Sequence, residues 1–152
     1  MATKAPESVR MSYRIGRGEQ GVLTFEPYKS ALLPLWRFRT VPIAQASSAA
    51  LWDKFLEFEE LDDFVGMDMT RKFIQMGMTR AKRYANHRGG RKYDADGKVK
   101  EKREHAGKAE KEEASQVFRT VWARCKAHEG YATKRRLFLG EQKRWSQQQG
   151  NS

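Results

Sequence analysis

The sequence predicts an α+β fold that is mainly α: a short N-terminal β-hairpin packed on a bundle of about four helices around a central helix at 63–87. Three observations predict it. Apolar residues recur every three to five positions over 42–60, 63–87 and 114–125, the pattern of helices with a buried face. β-branched and aromatic residues flank a glycine-rich stretch at 13–25, as paired strands would. And 11% of the chain is aromatic, which argues for a packed core where high charge would otherwise suggest disorder. A chain of 152 residues is long enough to bury one such core.

The hairpin is expected to pair Tyr13–Ile15 with Val22–Phe25. Between them Gly16, Gly18 and Gly21 stand at the spacing G-x-G-x-x-G. In dinucleotide-binding folds that spacing follows a strand and opens a helix whose first amides hold a pyrophosphate. Here Val22, Thr24 and Phe25 favour a strand, and Pro27 would break a helix in its second turn. The glycines therefore read as a turn, with an anion-binding nest of backbone amides as the alternative.

Residues 28–40, with Pro34 inside, read as a buried turn leading to Trp36 and Phe38. Pro42 suits the first turn of a helix from about 42 to 60, with Ile43, Ala46, Ala50, Phe55 and Phe58 as its apolar positions. The central helix is apolar on two sides. Phe64, Met67, Ile74, Met78, Ala81 and Ala85 form one face, and Met69, Phe73, Met76 and Tyr84 the other. Between them runs one polar strip of Asp68, Arg71, Lys72, Gln75, Thr79, Lys82 and Arg83. Asp62 or Asp63 can cap this helix, and Gly89-Gly90 ends it. Arg80 falls on the second apolar face, as a snorkelling or ion-paired stem or as an anion anchor.

From 94 to 113, 13 of 20 residues are charged, which predicts a solvated loop or frayed helix start. Ala114, Val117, Phe118, Val121, Trp122 and Cys125 then mark an amphipathic helix that Gly130 breaks, and 132–146 forms a last helix. The expected organisation is a flexible N-terminus at 1–11, one globular domain at 12–146 and a disordered tail at 147–152.

Net charge is +11 and unevenly spread. Residues 53–68 carry −6, and residues 69–104, immediately after, carry +8. Such a field attracts polyanions, because each neutralised phosphate releases condensed counterions. One cysteine, Cys125, excludes an intramolecular disulfide, and no run approaches the roughly 18 apolar residues a membrane helix needs. With no apolar leader either, the reading is a cytoplasmic protein without a membrane partner. His87, His105 and His128 stand at no ligand spacing, so no metal or other cofactor is expected.

The blocks "YRIGRGEQGVLTFEPYKSALLPLWRFRT" and "DDFVGMDMTRKFIQMGMTRAKRYANHRGGRKY" resemble the signatures of an uncharacterised family of small cytoplasmic proteins found in bacteria, fungi and tailed phages. The likeness spans about Tyr13 to Trp145. It implies an intracellular single-domain protein and carries over no catalytic residue.

Function is expected at the basic side of the central helix. Arg71, Lys72, Arg80, Lys82, Arg83, His87, Arg88, Arg91 and Lys92 are the candidate phosphate or anion contacts, with Asn86 for a base edge and Tyr84 and Tyr93 for stacking. The partner would be RNA or DNA, held by its backbone, with no catalysis assigned. One alternative is a Mg²⁺-dependent enzyme on a phosphorylated substrate, with Asp62, Asp63 and Asp68 on the metal and Arg71, Arg80 and His87 on phosphate. Another is an interaction module whose acidic 53–68 and basic 80–104 patches permit self-association.

Overall fold

The structure is a computed structural model describing residues 1–87 and 107–150. Its α-helices are α1 (Glu7–Met11), α2 (Tyr28–Leu32), α3 (Val41–Glu60), α4 (Phe64–Asn86), α5 (Lys108–Ala127) and α6 (Glu129–Gly150), with a 3₁₀ turn at Leu33–Leu35 after α2. Among the described residues there is no strand, so the fold is all-α and the expected hairpin does not form.

The reason lies in who satisfies the backbone at 13–20. Gly16, Gly18 and Gly21 all adopt positive φ, and the chain between them closes on itself in successive turns, Gln20 N–H to Arg17 O and Val22 N–H to Glu19 O. Carbonyls that a partner strand would have bonded are taken by side chains instead. Lys72 Nζ donates to Arg14 O (3.2 Å) and Gln20 O (2.6 Å), Arg71 Nη1 donates to Gly18 O, and Gln142 Nε2 donates to Tyr13 O (2.7 Å). The loop is thus a cover pinned onto α4 and α6.

Local chemistry starts the long helices where the sequence supplies it. Thr40 caps α3 by accepting from Ile43 N–H, with Pro42 in the first turn. The Asp63 carboxylate caps α4 by accepting from Gly66 N–H at 3.1 Å. The same carboxylate accepts from Tyr28 OH at 2.6 Å, which ties the α2 segment to the start of α4. Helix α4 is central, as its two apolar faces require: Val65, Met67, Met69, Phe73, Ile74 and Ala81 are all fully buried, with α3 and α5 packed along it. One apolar cluster joins these residues to Leu51, Phe55, Phe118 and Phe138.

Several boundaries differ from expectation. Residues 1–11, expected to be flexible, contain α1, and Ala5 and Met11 are buried. Helix α5 ends at Ala127, with His128 as its C-cap, and Gly130 lies inside the first turn of α6. That glycine answers to a close approach: a Cβ there would sit 1.5 Å from Glu59 Oε2. Residues 108–113 are already helical, whereas 94–106 and the Gly89-Gly90 helix end lie outside the described residues. Residues 147–150 continue α6 where a disordered tail was expected, and 151–152 lie outside the described residues.

Candidate functional site

The polar strip of α4 divides in two. Arg71, Gln75, Thr79 and Lys82, spaced by four, four and three, face a groove between α4 and α5, opposite Arg119, Trp122 and Lys126. The groove holds two depressions. One, of about 270 Å³, is lined by Met78, Thr79, Lys82, Ser115, Gln116 and Arg119. The other, of about 340 Å³, lies between Gly16, Gly18, Arg71, Gln75, Trp122, Lys126, Tyr131 and Arg135. The glycine loop walls the larger one, where Gln75 Nε2 lies against Gly18, and reaches the edge of the smaller, where Thr79 OH donates to Glu19 Oε2 at 2.9 Å. From Arg71 to Lys82 the helix rises about 16 Å.

The floor of the larger depression is built around Asp68, which is fully buried. Its Oδ2 accepts from Tyr13 OH (2.5 Å), and its Oδ1 accepts from Tyr131 OH (2.7 Å) and from Arg71 Nε (3.0 Å) and Nη2 (2.7 Å). Burial, then the neighbouring carboxylate, pushes both tyrosine phenols up, so they remain proton donors. Burial works against the Arg71 charge, but Asp68 and the two tyrosines together raise the guanidinium. Arg71 Nη1 also donates to Gln75 Oε1 (3.0 Å), which accepts from Trp122 Nε1 as well (3.1 Å). The Arg71 head is therefore held rigidly, 7% exposed, at the base of the pocket.

Asp68 balances the charge of Arg71, so the net positive charge of this pocket rests with Lys126 and Arg135, both exposed on its rim. Lys126 Nζ sits 4.4 Å from the Trp122 ring centroid. Among the described residues neither cation is in an ion pair. Further along the groove Lys82 lies 3.8 Å from Glu112, with both side chains about half exposed, a contact worth little.

The remaining predicted residues are dispersed. Lys72 is fully buried under the glycine loop, with its Nζ 4.6 Å from the Tyr13 ring centroid, and burial pushes its pKa down to about 8. Tyr84, expected to stack on bases, packs against Phe38 at 5.7 Å on the side of α4 away from the groove. Arg80 and Asn86 are half-buried, Arg83 is exposed, and His87 is buried. Arg88, Arg91, Lys92 and Tyr93 lie outside the described residues.

The acids imagined around Mg²⁺ do not converge. Asp62 pairs with Lys134 at 2.8 Å, Asp63 caps α4, and Asp68 holds Arg71 and two tyrosines. Among the described residues no three His, Cys, Asp or Glu side chains stand together as a metal site. Cys125 is buried, and burial pushes its thiol up to about 12, away from the thiolate form that nucleophilic attack uses. Sequence reading missed Arg119, Trp122, Lys126, Tyr131 and Arg135 as site residues. Trp122 and Lys126 stand at i, i+4 on one face of α5, and Arg135 belongs to the Lys134–Arg136 cluster, so a basic signal was present. Nothing local connects it to Arg71.

The model of one protein family, described as a domain of unknown function (DUF4385), matches residues 4–141. The chain belongs to that family. The matched range takes in the glycine loop, α3, α4, α5 and α6 as far as Glu141, and so every residue of the groove. No curated protein and no solved structure matches the chain. Among the described residues no helix is long and apolar enough to cross a membrane.

Proposed function

We propose that this DUF4385 domain binds nucleic acid through the phosphate backbone, along the groove between α4 and α5. One observation carries the reading: the polar stripe Arg71, Gln75, Thr79, Lys82 lines two neighbouring depressions along the α4–α5 crease, opposite Arg119, Trp122 and Lys126. Over the roughly 16 Å of α4 from Arg71 to Lys82, a surface with cations on both helices spans several nucleotides of one strand. Glu19 and Glu112 also stand beside it, but Glu19 accepts from Thr79 and Glu112 faces Lys82, and among the described residues Arg119, Lys126 and Arg135 are in no ion pair. With few groups placed to read base edges, the recognition is of backbone charge.

The test is fluorescence anisotropy against labelled RNA and DNA, single- and double-stranded, over roughly 50 to 300 mM salt. The protein is first freed of co-purified nucleic acid. The expected result is saturable binding whose log K falls linearly with log salt, and at least a tenfold loss for the double variant Arg119→Glu, Lys126→Glu. An affinity untouched by that double variant, in a protein that still folds, sinks the proposal.

A further inference from the structure

The two ends of the groove are not alike. At the Lys82 end the walls are α4 and α5 only. At the Arg71 end α6 stands across it, bringing Tyr131 and Arg135, while Gly16 and Gly18 close the side. A strand laid along the groove from Lys82 therefore stops at this pocket. We propose that the pocket receives the terminal phosphate monoester of a single strand, an inference that rests on the groove being the nucleic-acid site.

Charge and shape both favour this ligand. With Asp68 balancing Arg71, the pocket keeps two cations that are in no ion pair among the described residues, Lys126 and Arg135. A phosphate monoester carries about −1.5 to −2 at neutral pH, against −1 for an internal diester, and it has three acceptor oxygens. Two cations answer the monoester better. Arg71 is more than nine-tenths buried, so a phosphate must enter the pocket to approach it. The backbone of a regular duplex is convex and keeps its phosphates on the outside of a stiff cylinder. The end of a flexible single strand can enter a recess of about 340 Å³. The two glycines keep that wall low. At Gly18, with φ +55, a side chain would be strained, and its Cβ would lie 3.2 Å from Gln75 Nε2.

The chemistry is common to 5′ and 3′ termini, and the experiment separates them. Short oligonucleotides of one sequence, labelled on an internal base, carry a 5′-phosphate, a 3′-phosphate or hydroxyls at both ends; a blunt duplex completes the set. Each is titrated into the unsubstituted protein, into the variant Lys126→Ala with Arg135→Ala, and into the variant Lys82→Ala with Arg119→Ala. Binding about tenfold tighter for one phosphorylated end than for the hydroxyl strand is expected, with the duplex weakest. That increment should vanish in the Lys126, Arg135 variant. It should survive in the Lys82, Arg119 variant, which weakens all strands alike. Equal affinity for all single strands, or an increment that persists without Lys126 and Arg135, overturns the terminal-phosphate pocket while the groove stands. Failure of every oligonucleotide to bind overturns both.

Discussion

Lys72 and Asp68 sit four residues apart on α4, both fully buried, and they make opposite demands on the fold. Asp68 gathers four hydrogen bonds, and Arg71 depends on it for neutrality. Asp68→Asn leaves a buried guanidinium without its anion, so the unfolding free energy should drop by about 3–5 kcal/mol in urea titrations. A loss below about 1 kcal/mol would show that solvent replaces the carboxylate. Lys72 is held by two carbonyls and a ring face, yet burial lowers it to about 8 from an ordinary value of 10.5. Between those two values the unfolded chain binds more protons at this site than the folded one, so stability should rise with pH there. Wild type should accordingly gain roughly 1.5 kcal/mol on Lys72→Met between pH 8 and pH 9.5, because each unit is worth up to about 1.4 kcal/mol and the folded lysine is still half protonated at pH 8. A difference between the two proteins that is flat over this range contradicts the assignment.

At the scale of elements, the close packing of α4 depends on its glycines. A Cβ at Gly77 would meet Phe118 Cδ1 at 2.6 Å, and one at Gly66 would meet Phe58 Cδ1 at 2.2 Å. Both phenylalanines are fully buried and have no room to turn aside. Alanine favours a helix interior by about 1 kcal/mol over glycine, but overpacking costs about 1–3 kcal/mol, so Gly77→Ala should destabilise on balance. Gly140 on α6 is the control, since its Cβ would come no nearer than 3.4 Å, to the flexible head of Arg144. Gly140→Ala should raise the thermal midpoint slightly where Gly77→Ala lowers it by several degrees. If both move together, helix propensity alone sets the outcome and the α4–α5 contact is looser than described. This helix was the most legible element in the sequence. Its two apolar faces announced a central position, and the Asp63 cap lay within a residue of the expected start. The polar strip was legible too, but its division was not. Arg71 and Lys72 are adjacent and chemically alike, yet one faces the groove and the other the underside of a loop.

On the scale of the whole molecule, a charge of +11 suggests polyanion binding without placing it. The structure brings α5 and α6 cations to the Arg71 end of α4, far in sequence from the basic segment at 80–93. If the groove is the contact, reversing Lys126 or Arg135 should flatten the plot of log K against log salt by about one per lost phosphate contact. Reversing Arg83, exposed near the far end of α4, should change that slope less. Equal effects at all three positions would mean that the whole surface attracts nucleic acid diffusely, and that the groove has no special part.

The sequence by itself determined the long helices α3 and α4 and the amphipathic stretch of α5, though not α1 or α2, since the period of apolar residues, a capping Asp or Thr and a proline in a first turn act within a few neighbouring positions. It also determined the excess of positive charge. Only the tertiary structure decided the fate of residues 13–25. Their β-forming composition was real, but the carbonyls of Arg14, Gly18 and Gln20 found donors on Arg71 and Lys72, more than fifty residues away, and no second strand was needed. The same long-range bonds decided which cations stayed available. A basic residue can bind a partner only if the fold has not already used it, and backbone groups buried by the fold have first claim on any donor within reach.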